Sequence, residues 1–307
     1  MSLLSRSREL RALGVLGMNR RNTECILDLN PRRFFPLVDG KKQMHDLCRA
    51  IGVPTPDLYA VVSAHSVLRQ LPRLLERHSD FVIKPNRGAG GRGILVIVGR
   101  DGRKYIRHNG QRLKLNEVRQ HVSSVISGLF SLGGRADKAL IQQRVAPDLS
   151  LERISYQGTA DVRVIVYKGL PAMAMLRLPT KLSGGRANLH QGAIGAGIDL
   201  ASGRTIRAVM RNRVTLRHPD TGESVIGYLV PHWSQVLEMA QKVSAATGMG
   251  YIGVDVVIDR ARGPLLLEAN ARPGLAIQIA NGVGLMRRFE EIDHGMAGAE
   301  ASVQRSG

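Results

Sequence analysis

The stretch Lys84-Pro85-Asn86-Arg87-Gly88-Ala89-Gly90-Gly91-Arg92-Gly93 decides how the chain is read. Phe81-Val82-Ile83 precedes it and Ile94-Leu95-Val96-Ile97-Val98 follows, two apolar runs that predict strands around a glycine-rich connection. Gly88, Gly90 and Gly93 satisfy GxGxxG literally, but a dinucleotide fingerprint leads into a helix, and here a β-branched strand follows. A Walker A loop needs Lys-Ser or Lys-Thr after its last glycine. A kinase glycine loop needs a lysine on the next strand and later HRD and DFG motifs. None of these is present. What remains is a hairpin loop whose backbone N–H groups, at Gly88, Gly90, Gly91 and Gly93, fold over a polyphosphate together with Arg87 and Arg92. Lys84 on the incoming strand would reach a phosphate oxygen. A plain glycine hairpin is the bland alternative, and it would not need a lysine inside an otherwise apolar strand.

Working outward, a second constellation lies near the C-terminus: Gly253-Val254-Asp255-Val256-Val257 and Leu266-Leu267-Glu268-Ala269-Asn270, with a turn at Arg262-Gly263-Pro264 between them. Glu268 and Asn270 are two apart and share one strand face. Asp255 sits in nearly continuous valine, where a carboxylate is costly unless paired or bound to a cation. Three hard oxygen donors on paired strands suit Mg²⁺ completed by phosphate and water, with Mn²⁺ as an alternative. An ion pair of a carboxylate with Arg163 or Arg272 is the structural alternative.

The third constellation is Asp161-Val162-Arg163-Val164-Ile165-Val166, then Arg177, Lys181 and the polar loop from Ser183 through Asn188 to Gly197. Arg163 and Arg177 alternate with apolar neighbours on successive strands, so both can point into one cleft. Fixed cations there would meet the charge that develops on a transferring phosphoryl group.

The bulk composition sets limits. The 307 residues carry Lys+Arg 44 against Asp+Glu 25, a net charge of +19, which attracts polyanions or an acidic amino acid, peptide or protein. Aromatic content of 4% and the lack of zinc-finger spacing argue against specific nucleic-acid binding. No run of about 18 apolar residues suggests a membrane span or signal core, so the chain reads as cytoplasmic. Cys25 and Cys48 have no metal or redox spacing and read as structural thiols.

Taken in order, Lys41 on a helix, Lys84 with its glycine loop, the strand Leu140-Ile141-Gln142-Gln143-Arg144-Val145, the Asp161-Val162-Arg163 strand, Asn188-Leu189-His190-Gln191-Gly192, and Asp255 with Glu268-Ala269-Asn270 resemble the ATP-grasp superfamily. More narrowly they resemble the α-L-glutamate ligase homologues related to the ribosomal-protein glutamate ligases, over about residues 30 to 290. The resemblance implies an ATP- and Mg²⁺-dependent ligase that joins a carboxylate to an amine. It assigns ATP phosphates to Lys41, Lys84 and the glycine loop, with Lys181 in the same nucleotide-binding set. Adenine would fall to the backbone of Gln142, Gln143, Arg144 and Val145, and Mg²⁺ to Asp255, Glu268 and Asn270. Arg163, Arg177 and Asn188 would face the γ-phosphate and the acyl substrate. The hinge of such ligases often carries a glutamate where Gln143 stands, and the segment before Lys41 is short. An ATP-grasp kinase, a small-metabolite ligase and a basic binding protein without turnover are the competing classes; a homo-oligomer is left open.

The expected fold is α+β, with an antiparallel sheet in each of two subdomains that clamp ATP. The boundaries read as a basic segment 1–38, nucleotide subdomains 39–145, a C-terminal subdomain 146–290 and a flexible tail 291–307. Leu3, Leu4, Leu10, Leu13 and Leu16 suggest an amphipathic helix packed on its own domain, with a partner-binding arm as the alternative. Helices are predicted over Lys41 to Ile51, Ala64 to Arg77, Leu115 to Phe130 and Pro231 to Thr247.

Overall fold

The structure, a computed structural model, describes the backbone of residues 3–88 and 90–306, and within these the side chains other than those of 3–7, 132 and 297–306. Two antiparallel sheets organise it. The six-stranded sheet runs β1-β6-β2-β3-β4-β5 and comprises β1 Leu58–Val62, β2 Phe81–Pro85, β3 Leu95–Asp101, β4 Lys104–Arg107, β5 Arg112–Leu113 and β6 Ala139–Gln142. The seven-stranded sheet runs β11-β10-β9-β8-β7-β12-β13. Its strands are β7 Asp161–Tyr167, β8 Leu170–Leu178, β9 Ile194–Ile198, β10 Thr205–Met210, β11 Arg213–Val214, β12 Tyr251–Asp259 and β13 Gly263–Asn270. The expected α+β architecture with one antiparallel sheet in each of two bodies is what the chain forms.

The first sheet buries one face under the helix Leu115–Ile126, whose Val118, Val122 and Val125 recur at helical spacing and are fully buried with Phe81, Ile83 and Ile97. This helix stops four residues before the expected Phe130. Gly128 has φ +86 and lies so close to the Arg135 carbonyl that a Cβ would sit 2.4 Å from its oxygen. The Ala64 to Arg77 segment is a 3₁₀ turn, His65–Gln70, running into a helix, Leu71–Glu76, with Pro72 in its first turn.

The second sheet is covered on both faces, which is why β7 and β12 read as continuous apolar runs. Val162, Val164, Val166, Val254 and Val256 face the helix Trp233–Thr247. Ile165, Tyr167, Met173, Met175 and Tyr251 face the opposite way, toward Ile277, Leu285 and Phe289.

Packing among the described residues crosses the expected segment boundaries. Met44 and Cys48, on the helix Lys41–Ala50, and Val53 pack in the core of the second sheet, so this segment joins the C-terminal body although it precedes the first sheet. Leu16, Cys25 and Ile26 pack on the other face of the same sheet, where Asn30 donates to the carbonyls of Tyr251 (2.6 Å) and Ala271 (3.1 Å). The segment 1–38 is thus part of that body over its described length. Of the expected apolar stripe, Leu16 is buried, Leu10 and Leu13 are half exposed, and the side chains of Leu3 and Leu4 lie outside the described residues. The tail expected from residue 291 starts instead inside a helix, Leu285–Ser306, because Phe289 and Ile292 are buried at helical spacing. Burial pushes the Cys48 thiol up to about 12, in keeping with a structural role. No described helix is long and apolar enough to cross a membrane.

Candidate active site

The helix Lys41–Ala50 begins against the start of the glycine loop. Asn86 accepts the Lys42 N–H on its side chain (2.8 Å) and the Lys41 N–H on its carbonyl (3.2 Å). The Lys41 ammonium donates to the Gly88 carbonyl at 2.8 Å and lies 3.6 Å from Glu268 on β13. Lys84, on β2, is buried beside them. Burial, reinforced by the Lys41 charge and opposed by Glu268, lowers its ammonium pKa to about 7. Lys41, Lys84 and Glu268 thus come from three separate elements to one end of the cleft between the sheets. Apolar walls continue the cleft: Met44 and Leu140 from the helix Lys41–Ala50 and β6, with Leu266 and Leu267 from β13. Gln142 lines it too.

The glycine loop spans the mouth of this cleft to the second body. A Cβ at Gly91 would contact the Arg186 side chain at 3.4 Å, and one at Gly90 would lie 3.8 Å from the Asn188 amide. Gln191 donates to the Gly90 carbonyl at 3.4 Å. Gly90, Gly91 and Gly93 have φ of +64, +73 and +74, which glycine alone adopts cheaply. At Gly93 a Cβ would also meet Phe130 at 2.5 Å. Asn188 accepts from the His190 N–H at 3.0 Å and so fixes the turn that meets the loop.

Strand register explains the polar cluster beneath. Asp255 is opposite Arg163 on one side and Glu268 on the other, while Asp161 is opposite Arg177. Arg163 donates to both Asp255 oxygens at 2.7 and 2.6 Å. Arg177 donates to Asp255 at 2.7 Å and pairs with both oxygens of Asp161. All four groups are buried or nearly so. Burial raises Asp255, but the two guanidiniums outweigh it and hold its carboxyl down at about 2. At Asp161 burial wins against Arg177, Asp255 adds its repulsion, and the pKa rises to about 6. Asp161 is the residue that sequence reasoning passed over. Its signal was present: it stands two before Arg163, on the same strand face.

The donor set can be tested for Mg²⁺. Glu268 and Asn270 are partly exposed on the cleft side of one strand and offer carboxylate and amide oxygens, the chemistry the ion prefers. Asp255 is fully buried with its oxygens occupied by two arginines, so the ion-pair alternative describes it in this structure. It fits as a ligand only where a guanidinium contact is given up.

Other expected residues are placed differently. The Gln143 N–H donates to the Asp57 carbonyl (2.8 Å), and its side chain accepts from Asp57 N–H and from Arg262. Arg144 pairs with Asp80 at 2.8 Å, and Val145 is buried against Val257 and Leu265. Of the four residues whose backbone the resemblance assigns to adenine, Gln142 lines the cleft. Lys181 is exposed, with its N–H bonded to Asp220 at 2.8 Å, and the structure does not bring it into the cluster.

Because Lys84 in the folded chain loses its proton near 7 and in the unfolded chain near 10.5, stability from this group rises with pH across that window. A triphosphate seated beside it would restore the charge. At about pH 8, nucleotide binding measured by calorimetry in buffers of different ionisation enthalpy should take up most of about one proton. Lys84→Met should abolish the uptake; equal uptake in the variant would remove Lys84 from the phosphate site.

Two antiparallel sheets, a glycine loop bridging them and lysines in the cleft between agree with the ATP-grasp fold that the resemblance implies. The sequence matches the family described as sugar-transfer associated ATP-grasp over residues 20–294, and the chain belongs to that family. No curated protein matches it. Among solved structures, biotin carboxylase in its β,γ-ATP complex from Campylobacter jejuni is 14% identical, with 82% of this chain and 45% of that one covered and a TM-score of 0.53. D-alanyl-alanine synthetase A from Vibrio cholerae is 11% identical, with 83% and 63% covered and a TM-score of 0.50. The ATP-grasp ligase PsnB complexed with minimal precursor is 15% identical, with 84% and 60% covered and a TM-score of 0.46. The chain spans 45% to 63% of the length of these structures, and the likeness at this identity is one of fold.

Proposed function

We propose that the chain is an ADP-forming carboxylate–amine ligase that uses ATP and Mg²⁺ in the cytoplasm, with glutamate or a glutamyl compound as its acidic substrate. The observation that carries this reading is the convergence of Lys41, Lys84 and Glu268 under a glycine loop, beside the Arg163–Asp255–Arg177–Asp161 cluster. Mg²⁺, held by Glu268 and Asn270, would neutralise phosphate charge. Lys84 and Lys41 orient the triphosphate, and the glycine loop excludes water from it. Arg163 and Arg177 would face the γ-phosphate, their direction set by Asp255 and Asp161, whose charges offset theirs until a guanidinium turns to the phosphate. A carboxylate oxygen attacks the γ-phosphorus, the bond to the bridging oxygen breaks, and ADP leaves. The amine then attacks the acyl carbon, phosphate departs with the bonding pair, and the nitrogen loses a proton. No side-chain nucleophile takes part.

Hydroxylamine can stand in for an unidentified amine. With Mg²⁺, ATP and hydroxylamine, a panel of carboxylates beginning with glutamate and glutamyl peptides should give ADP, phosphate and hydroxamate in equal amounts. Formation of AMP would contradict the phosphoryl chemistry. ADP with a phosphorylated product stable to hydroxylamine would favour a kinase, and ATP binding without turnover on any carboxylate would favour a binding protein.

A further inference from the structure

Along the face of the second sheet that carries Arg163 and Asp255 lies a cavity of about 750 Å³ that the chemistry above does not use. Its walls come from distant parts of the chain: Leu10, Leu13 and Met18 near the N-terminus, Leu189, then Ile279 and Val283 over β9 and β10. All of these but Leu189 are between 41% and 66% exposed, and they open into one space. Large apolar side chains gathered around a cavity mark a binding site more often than a bare surface.

The rim is cationic. Arg21 and Arg211 line the cavity, and among the described residues no aspartate or glutamate does. Among the described residues neither arginine pairs with a carboxylate. Both have unusual backbones. Arg21 opens a π-helical turn, Arg21–Leu27, in which the Asp28 N–H reaches back to the Thr23 carbonyl. Such turns are rare and gather at functional sites. Arg211 and Asn212 form the two-residue turn between β10 and β11 with φ of 49 and 62, a geometry that favours Asn-Gly and disfavours arginine.

Two parts of the cavity wall stand close in sequence to residues of the candidate active site. Leu189 follows Asn188 directly, and Arg21 donates to the carbonyl of Pro273 at 3.2 Å, just beyond Asn270. From this juxtaposition we infer that the cavity binds the amine partner of the acidic substrate, an amphipathic amino compound that also carries a carboxylate, and that it recognises the apolar part and the carboxylate. Its apolar chain or ring lies against the leucines, and its carboxylate meets Arg21 and Arg211. Calling it a substrate rests on the ligase reading; its binding does not.

The test uses the full chain without ATP or Mg²⁺ and titrates butyrate, hexanoate, octanoate, octanol and octyl phosphate by calorimetry. Affinity should rise roughly fourfold per methylene from butyrate to octanoate. Octanol should bind about tenfold more weakly than octanoate. Joint Arg21→Ala and Arg211→Ala should bring octanoate to the octanol level while keeping the chain-length trend. Ile279→Trp, which fills the cavity, should lose binding; Leu13→Trp serves if that variant does not fold. No binding, binding indifferent to chain length, or binding unchanged by both tryptophan variants would overturn the site. Binding of octyl phosphate without octanoate would overturn the carboxylate assignment. A chain that binds octanoate but forms no hydroxamate with any carboxylate would sink the ligase reading alone.

Discussion

Glu268→Ala should yield a folded chain whose ATP turnover is lower by on the order of 10³-fold. Glu268 is partly exposed on the cleft side of β13, and its charged neighbour is Lys41 at 3.6 Å. Truncating it opens no cavity in the core, and buried Lys84, which loses this nearby carboxylate, can respond by giving up its proton, its pKa already lowered to about 7. What it removes is the carboxylate best placed to hold a cation against the phosphates. The melting temperature should stay within about 2 °C of wild type, because surface-type changes cost little. The measurement is ADP release in the presence of Mg²⁺ on protein shown to melt cooperatively. A variant within tenfold of the wild-type rate would take the metal away from Glu268.

Asp255→Ala should behave differently, losing both turnover and stability. Asp255 is fully buried and accepts from Arg163 and Arg177, so its removal leaves Arg163 without its carboxylate partner and Arg177 with Asp161 alone. Breaking a buried pair costs about 3–5 kcal/mol. In a chain of this size that lowers the melting temperature by roughly 10 °C. Stability lost through Asp255 is also the kind that acid removes: its folded pKa near 2 lies below the usual carboxylate value, so its contribution is present above that value and disappears as pH falls through about 2. If Asp255→Ala melted like wild type, the arginines would have other partners and the buried pairing would not hold the strands together.

Most strands were legible because their period is local. Phe81 to Lys84, Asp161 to Tyr167 and the hairpin from Gly253 to Asn270 announce themselves by β-branched runs and turn residues within a few positions. Glu268 and Asn270 could be placed on one face for the same reason. What the sequence could not disclose is which strand neighbours which. Asp255 meets Arg163 because β12 inserts between β7 and β13, a pairing across 92 positions. The same holds just after β6, where Gln143 and Arg144 turn to Asp57, Arg262 and Asp80, partners that no spacing rule reaches. Leu10 and Leu13 show the limit of periodicity in another way: it found the apolar stripe, but burial depends on what the stripe meets, and these two meet a cavity.

The embrace of the second sheet by residues from both ends of the chain bears on how the protein is made. Leu16 and Gln278 exchange hydrogen bonds, its N–H to the amide oxygen at 2.7 Å and its carbonyl from the amide nitrogen at 3.2 Å, and Asn30 holds β12 through Tyr251. During synthesis the first sheet, residues 58 to 142, has all its strands once Gln142 has left the ribosome and can form early. The second body must wait until Gln278 emerges, with its early apolar residues uncovered meanwhile. Contacts spanning more than 200 positions carry a large loop-closure cost before they reward it, so assembly of this body is the slow step of folding. Leu16, Cys25 and Ile26 are then the side chains on which a chaperone would act during translation.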